Sequence, residues 1–153
     1  MRRTLYILGI LVLTLNAISC RDHYYIENDL HGVWQVTSVE RLSTGEVTEP
    51  TGELYYMFQR SMVMLGHKLL EVPESMTRYI AHFDLVNEDS IGMGDFRNYT
   101  TGEGDFVNQE SKIPLGSLHR FGLYQEYTMF SMQRSKQELI LTSDRARVTL
   151  RKY

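Results

Sequence analysis

The chain has 153 residues, with 16 basic side chains against 19 acidic, ten Tyr, six Phe, one Trp and a single Cys. That length fits one domain able to bury its own core. The acidic balance lacks the concentrated basic surface that nucleic acid or a polybasic membrane contact requires, and one cysteine leaves no internal disulfide to support the fold.

At the N-terminus, Arg2 and Arg3 precede an apolar run from Leu5 to Leu15, and small residues lead into Cys20. Charge, apolar core and small-residue site in that order make a secretory signal. A transmembrane helix is the competing reading, but the run is 11 residues long, against the roughly 20 that span a bilayer. A signal without lipidation is the other rival, and it would export a lone thiol. Ala17-Ile18-Ser19-Cys20 resembles the lipobox of bacterial lipoproteins. The resemblance implies that residues 1–19 are removed and that Cys20 is acylated. The protein would then be anchored in the cell envelope, on the periplasmic or surface face of the outer membrane. Without residues 1–19 the balance is 14 bases against 19 acids, a net charge of −5. Residues 20–29 form a polar tether that reaches roughly 30 Å when extended.

The domain proper is expected over 30–153. In LHGVWQVTSVERL, Trp34, Val36 and Ser38 alternate with Val33, Gln35, Thr37 and Val39, which predicts a first strand. STGEVTEPTGE, with two Thr-Gly pairs and a proline, is expected to be a loop. In ELYYMFQRSMVMLG, Leu54, Tyr56 and Phe58 share a face. Gln59-Arg60-Ser61 fits a turn or the middle of one long bent strand; Met62 and Met64 continue in phase, so a long strand kinked there is preferred. A short strand is expected at Lys68–Val72. RYIAHFDLV puts Tyr79, Ala81, Phe83 and Leu85 on one face; Asn87-Glu88-Asp89-Ser90 turns the chain, and Ile91–Phe96 answers as a hairpin partner. Asn98–Lys112 reads as a long loop with a small strand near Phe106-Val107. Pro114 opens a short helix in which Leu115, Leu118 and Phe121 share a face, with Gly122 as its stop. Three strands close the chain: Tyr124–Met132, Glu138–Ser143 and Ala146–Tyr153.

These elements predict an all-β fold, an up-and-down antiparallel barrel of about eight strands with one short helix, because sequential hairpins close without crossovers and leave no free edge. Gly32-Val33-Trp34 resembles the Gly-x-Trp signature of the lipocalins and their calycin relatives. With YYMFQRSMVML, the FGL helix end and LTSDRARVTLRKY, it is similar to the lipocalin-like lipoproteins of gut Gram-negative bacteria. The resemblance implies a barrel that holds a small apolar ligand. It also implies that Trp34 packs at the closed end under a cation from the last strand, Arg151 or alternatively Lys152. The alternation of Val148 and Leu150 puts Lys152 on the apolar face.

Little in the chain suggests catalysis, and it is read as a non-catalytic protein without cofactor or metal. Gly-x-Ser-x-Gly is absent. Gly102-Glu103-Gly104-Asp105 is too acidic for a phosphate loop. His23, His31, His67, His82 and His119 lack ligand spacing. Asp95, Glu103, Asp105 and Glu110 make an acidic loop without EF-hand spacing. Asp89-Ser90-Ile91 resembles an O-glycosylation motif of Gram-negative anaerobes, with Ser90 as acceptor; an Asx turn explains it equally. The expected inward set is Trp34, Tyr56, Phe58, Met62, Met64, Tyr79, Phe83, Phe130, Met132, Leu139, Leu141, Val148 and Leu150. Within it, Tyr56, Phe58, Tyr79, Phe83 and Phe130 are the candidate lining of a ligand mouth, and Arg60 or a tyrosine hydroxyl is the candidate polar handle. Two functions stay open: a binding module for a small hydrophobic ligand, neutral or cationic by charge, or an accessory lipoprotein with a solid barrel that contacts a protein partner.

Overall fold

The structure, a computed structural model, describes residues 30–50, 53–68, 78–99 and 113–153. Among the described residues, ten strands and a 3-10 helix run in the order β1 Gly32–Arg41, β2 Glu46–Thr48, β3 Glu53–Gln59, β4 Met62–Lys68, β5 Arg78–Asn87, β6 Ser90–Gly94, β7 Arg97–Tyr99, the 3-10 helix Leu115–Phe121, β8 Tyr127–Arg134, β9 Glu138–Thr142 and β10 Ala146–Lys152. Eight of the strands pair in the circuit β1–β3–β4–β5–β6–β8–β9–β10, and β10 returns to β1. Every pairing in the circuit is antiparallel. The fold is therefore a closed eight-stranded barrel with one short helix, and closure removes the free edges of the sheet. β2 and β7 are short additions on β1 and β5.

Successive hairpins place their turns alternately at two ends. One end holds the start of β1, the β3–β4, β5–β6 and β8–β9 turns, and the C-terminus; there the Tyr153 N–H donates to the Val33 carbonyl and the Lys152 N–H to that of Gln137, both at 2.9 Å. This is the turn end. The other, the helix end, holds the β9–β10 turn, the β6-to-β8 connection and the 3-10 helix.

Four local expectations are corrected. First, the predicted kinked strand is a tight hairpin: β3 and β4 pair with Phe58 opposite Val63 and Gln59 opposite Met62. Arg60 makes the turn at φ 56°, a conformation that costs a side chain about 1 kcal/mol, and its N–H donates to His31 Nε2 at 2.8 Å. A two-residue turn pairs an even position with an odd one. The inward set therefore switches from Tyr56 and Phe58 to Val63 and Leu65, both fully buried, and Met62 and Met64 turn outward. Second, a bulge interrupts the β1–β10 ladder between Val36 and Ser38. The intervening Thr37 donates its hydroxyl to the Thr149 carbonyl at 3.0 Å. One extra residue reverses the alternation, so Val39 is buried alongside Trp34 and Val36 instead of opposing them. Third, the loop after β1 contains β2: the Gly45 N–H bonds the Arg41 carbonyl at 2.8 Å, and Val47 and Thr48 fold back onto Glu40 and Val39. Fourth, the strand answering β5 stops at Gly94. Asp95 at φ 54° breaks it, and the chain pairs with β5 again as β7.

The Lys68–Val72 strand beyond residue 68 and the Phe106-Val107 strand lie outside the described residues. So do Cys20, the signal and the tether.

Candidate functional site

At the turn end, Trp34 is 1% exposed and stands opposite Lys152 in the ladder. The Lys152 Nζ lies 4.9 Å from its ring centroid. The cation over the tryptophan is therefore Lys152 and not Arg151. Arg151 falls on the outer face, where its guanidinium donates to Gln35 Oε1 at 3.1 Å. Period-two geometry decides this, since Val148, Leu150 and Lys152 share a face. The expected handle Arg60 sits exposed in the β3–β4 turn. Ser90 opens β6 beside an Asx turn in which the Asp89 N–H donates to Asn87 Oδ1 at 2.9 Å. Ser90 is half-buried and Asp89 exposed.

The helix end is built from Pro-Leu-Gly-Ser-Leu-His-Arg-Phe-Gly. Pro114, at φ −57°, stands at the N-cap. Leu115, Leu118 and Phe121 are spaced by three, which matches the three residues per turn of a 3-10 helix and stacks them in one row. Gly122 ends the helix at φ 78°, with its N–H on the His119 carbonyl. A Cβ at Gly122 would lie 2.3 Å from Val148 Cγ2, so conformation and space both require glycine. Phe121 meets Tyr56 and Tyr79 edge to face, with centroids 6.2 and 6.3 Å apart. Its carbonyl accepts the Tyr56 hydroxyl. These contacts come from inward positions on β3, β5 and β10, so the C-terminal turn of the helix sits inside the ring of strands. Burial pushes the Tyr56 phenol far above its ordinary pKa, which keeps it a neutral donor.

The five expected lining residues do converge, but in the core. Tyr56 stacks on Phe58 at 6.0 Å, Phe58 meets Phe83 edge to face at 5.5 Å, and Tyr79 reaches Phe121. None of the five, Phe130 included, is more than 5% exposed. They fill the barrel behind the helix.

An accessible concavity lies at the flank of that helix. A cleft of about 490 Å³ runs between the helix and the β6–β8 edge, lined by Asp95, Phe96, Ile113, Pro114, Leu115, Leu118, Glu126 and Tyr127. Phe96, Ile113 and Leu118 are buried and form its floor. Tyr127, half exposed, is held in place by missing side chains: its hydroxyl lies 2.0 Å from where a Cβ of Gly92 would be, and its Cα 2.8 Å from that of Gly94. An aromatic laid across strand glycines restores the packing they lack. The Asp95 N–H donates to the Glu126 carbonyl at 3.2 Å, which sets the two acids on the same rim. The Asp95 carboxylate meets Arg97 at 3.4 Å and is 81% exposed. On the helix's other flank, His119 stacks on Tyr124 at 4.7 Å and Arg41 covers the same ring at 5.0 Å. Sequence reasoning placed Asp95 in an acidic loop and passed over Phe96 and Tyr127. The signal was Gly92-Met93-Gly94, whose outward positions carry no side chains and invite one from the neighbouring strand. No group of His, Cys, Asp or Glu suited to a metal is found among the described residues.

Residues 11–153 match the lipocalin-like domain. The chain belongs to the lipocalin-like domain family. Members of that family are generally non-catalytic binding proteins. Two solved structures share its fold. A lipocalin-like protein from Bacteroides uniformis is 18% identical, with a TM-score of 0.59 over 82% of this chain and 99% of that one. An uncharacterized protein from Bacteroides eggerthii is 16% identical, with a TM-score of 0.60 over 81% and 99%. No curated protein matches the lipocalin-like chain.

Proposed function

We propose that this protein is a lipid-anchored, non-catalytic envelope protein that binds a small hydrophobic ligand at the helix end of its barrel. The observation that carries the reading is the cleft beside the 3-10 helix. Its volume of about 490 Å³ lies within the range of roughly 300–1,000 Å³ usual for small-molecule sites, and its floor is apolar. Membership of a family of binding proteins supports the same reading. The anchor rests on the signal and the four residues ending at Cys20. Intact mass of protein extracted from its own membranes tests the anchor: a chain beginning at an acylated Cys20 is expected, and an unmodified Cys20 would overturn it. Native mass spectrometry of the same material tests the ligand. A retained small molecule, lost from a Leu118→Asp variant, is expected.

A second reading, a protein-interaction lipoprotein with a solid barrel, is favoured by the packing of Tyr56, Phe58, Tyr79, Phe83 and Phe130 against one another. It predicts no retained small molecule in the native mass spectrum of protein extracted from its own membranes.

A further inference from the structure

The outer wall of the barrel carries soft ligands that the cleft does not use. We infer that Met62, Met64 and His82 form a site for a soft monovalent cation, copper(I) or its analogue silver(I), on the outside of β4 and β5. The site is independent of the cleft and of the anchor.

Register sets the three residues beside one another. The turn at Arg60-Ser61 puts Met62 and Met64 on the outward face of β4. They are two residues apart, so their side chains leave that face roughly 7 Å from each other. Met62 stands opposite His82 on β5, and Met64 opposite Ile80. The Phe83 N–H donates to the Ser61 carbonyl at 3.0 Å. A bond between the residues that flank a pair marks it as non-hydrogen-bonded, the kind whose Cα atoms lie about 4.5 Å apart and whose side chains are closer. Met62 and His82 are such a pair. Met64 is diagonal to His82, at a separation of roughly 7–8 Å that long side chains span. The frame is firm, because Val63, Ala81 and Phe83, which alternate with the three, are all buried in the core. His82 is exposed, and both methionines are half-buried. Met62 and His82 share a surface concavity of about 350 Å³, which gives an ion a way in.

Apolar packing does not account for Met62. Its neighbours across the ladder are Gln59 and His82, both exposed. Met57 is outward as well, but it is not a member of the site. Its Cε lies 3.2 Å from where a Cβ of Gly66 would be, so it covers that glycine, on the far side of Met64 from Met62.

The ligand chemistry selects the ion. Thioethers are soft and neutral, which suits copper(I), whereas zinc, calcium and magnesium take thiolate, imidazole or oxygen ligands. Asp95, the carboxylate on the concavity, meets Arg97 at 3.4 Å. Two thioethers and an imidazole make a three-coordinate site without cysteine, and thioethers do not pair into disulfides in an oxidising compartment.

The test uses the full chain carrying Cys20→Ser, in nonionic detergent, so that no thiol competes for the metal. It is labelled with 13C at the methionine methyls and titrated with silver nitrate in chloride-free buffer, with imidazole present as a competing ligand. Silver(I) replaces copper(I) because it stays monovalent in air. One silver ion per chain is expected, with the methyl signals of Met62 and Met64 shifting together and those of Met57 and Met129 unmoved. Met62→Leu, Met64→Leu and His82→Phe should each raise the half-saturating silver concentration by at least about tenfold, since loss of a ligand costs no less than loss of a group that orients one. Leucine conserves the volume of methionine, so melting temperatures of the Leu variants should stay near that of the unaltered protein, and weaker binding then reports lost sulfur. Silver binding unchanged in any of the three variants, or shifts confined to other methionines, overturns the site. Displacement of silver by equimolar zinc overturns its assignment to a soft monovalent ion.

Discussion

The two ends of this barrel are closed by different means. The turn end is closed by short hairpins, by the main-chain bonds from Lys152 and Tyr153, and by Lys152 over Trp34. Everything there belongs to the strand ladder or lies against it. The helix end is closed by a seven-residue 3-10 helix whose hold on the barrel is side-chain packing plus the bond from Tyr56 to the Phe121 carbonyl. A ladder distributes its closure over many bonds, whereas a plug concentrates it in a few residues. The cleft sits beside the plug and not beside the ladder. Binding sites need local features that ladders exclude: an interrupted strand, a left-handed residue and a helix lying on an edge.

Four tests by substitution bear on that contrast, beginning with the largest effect. Trp34→Ala at the turn end should cost about 3–5 kcal/mol, because the cavity it leaves cannot collapse inside a closed ladder. Chemical denaturation measures it, and a loss under 1 kcal/mol would show that the ladder alone closes this end. Gly122→Ala at the helix end should cost roughly 2–4 kcal/mol from its left-handed φ and the overlap with Val148. Adding Val148→Ala should recover only the steric part. Hydrogen exchange should accelerate at the helix while the β1–β10 ladder remains protected; equal acceleration at both ends would erase the distinction drawn between them.

Tyr56→Phe should cost about 1–2 kcal/mol by leaving the Phe121 carbonyl without its donor. It should also change the dependence of stability on pH. Burial raises the phenol's pKa in the folded state, so its contribution is fully present below the unfolded value of about 10 and declines as pH rises above it. The variant should lose one proton's worth of that alkaline slope, seen in melting curves above about pH 10; an unchanged slope would mean that the phenol ionises in the barrel. The smallest effect is a pair. Lys152→Met should cost about 0.5–1 kcal/mol through the lost contact with Trp34, and Arg151→Met less than about 0.5 kcal/mol as an exposed side chain. The reverse order would return the tryptophan's cation to Arg151.

What is legible in the sequence does not follow the division between the two ends. Strands β5, β6, β9 and β10, the Asn87–Ser90 turn and the helix with its glycine stop follow from alternation, turn residues and a spacing of three. These are local rules, and they settle elements at both ends of the barrel. The errors came where one residue changes a parity. Met62 and Met64 continued the phase of Phe58 on paper, but a two-residue turn at Arg60-Ser61 inverts it. Val39 was placed opposite Trp34 until the bulge at Thr37 moved it inside. The candidate ligand residues Tyr56, Phe58, Tyr79, Phe83 and Phe130 are buried inside the barrel, and a sequence has no means to tell lining from filling. Phe121 enters the barrel and packs on Tyr56 and Tyr79, and that contact joins positions far apart in the chain.

The sequence by itself determined the all-β class, the closed meander, the helix at Leu115–Phe121 and the face on which Lys152 lies, because each depends on periodicity or on a residue's own conformational range. Tertiary structure alone decided that the barrel interior is occupied by its own aromatic side chains and that the cleft opens beside the helix. It alone brought Asp95 and Glu126, far apart in sequence, to one rim. Those outcomes depend on how closely β6 and β8 approach across Gly92 and Gly94, and on how much of the barrel's volume Phe121 takes up. Volume and distance between strands are properties of the assembled ring, and no stretch of chain short enough to show a period contains them.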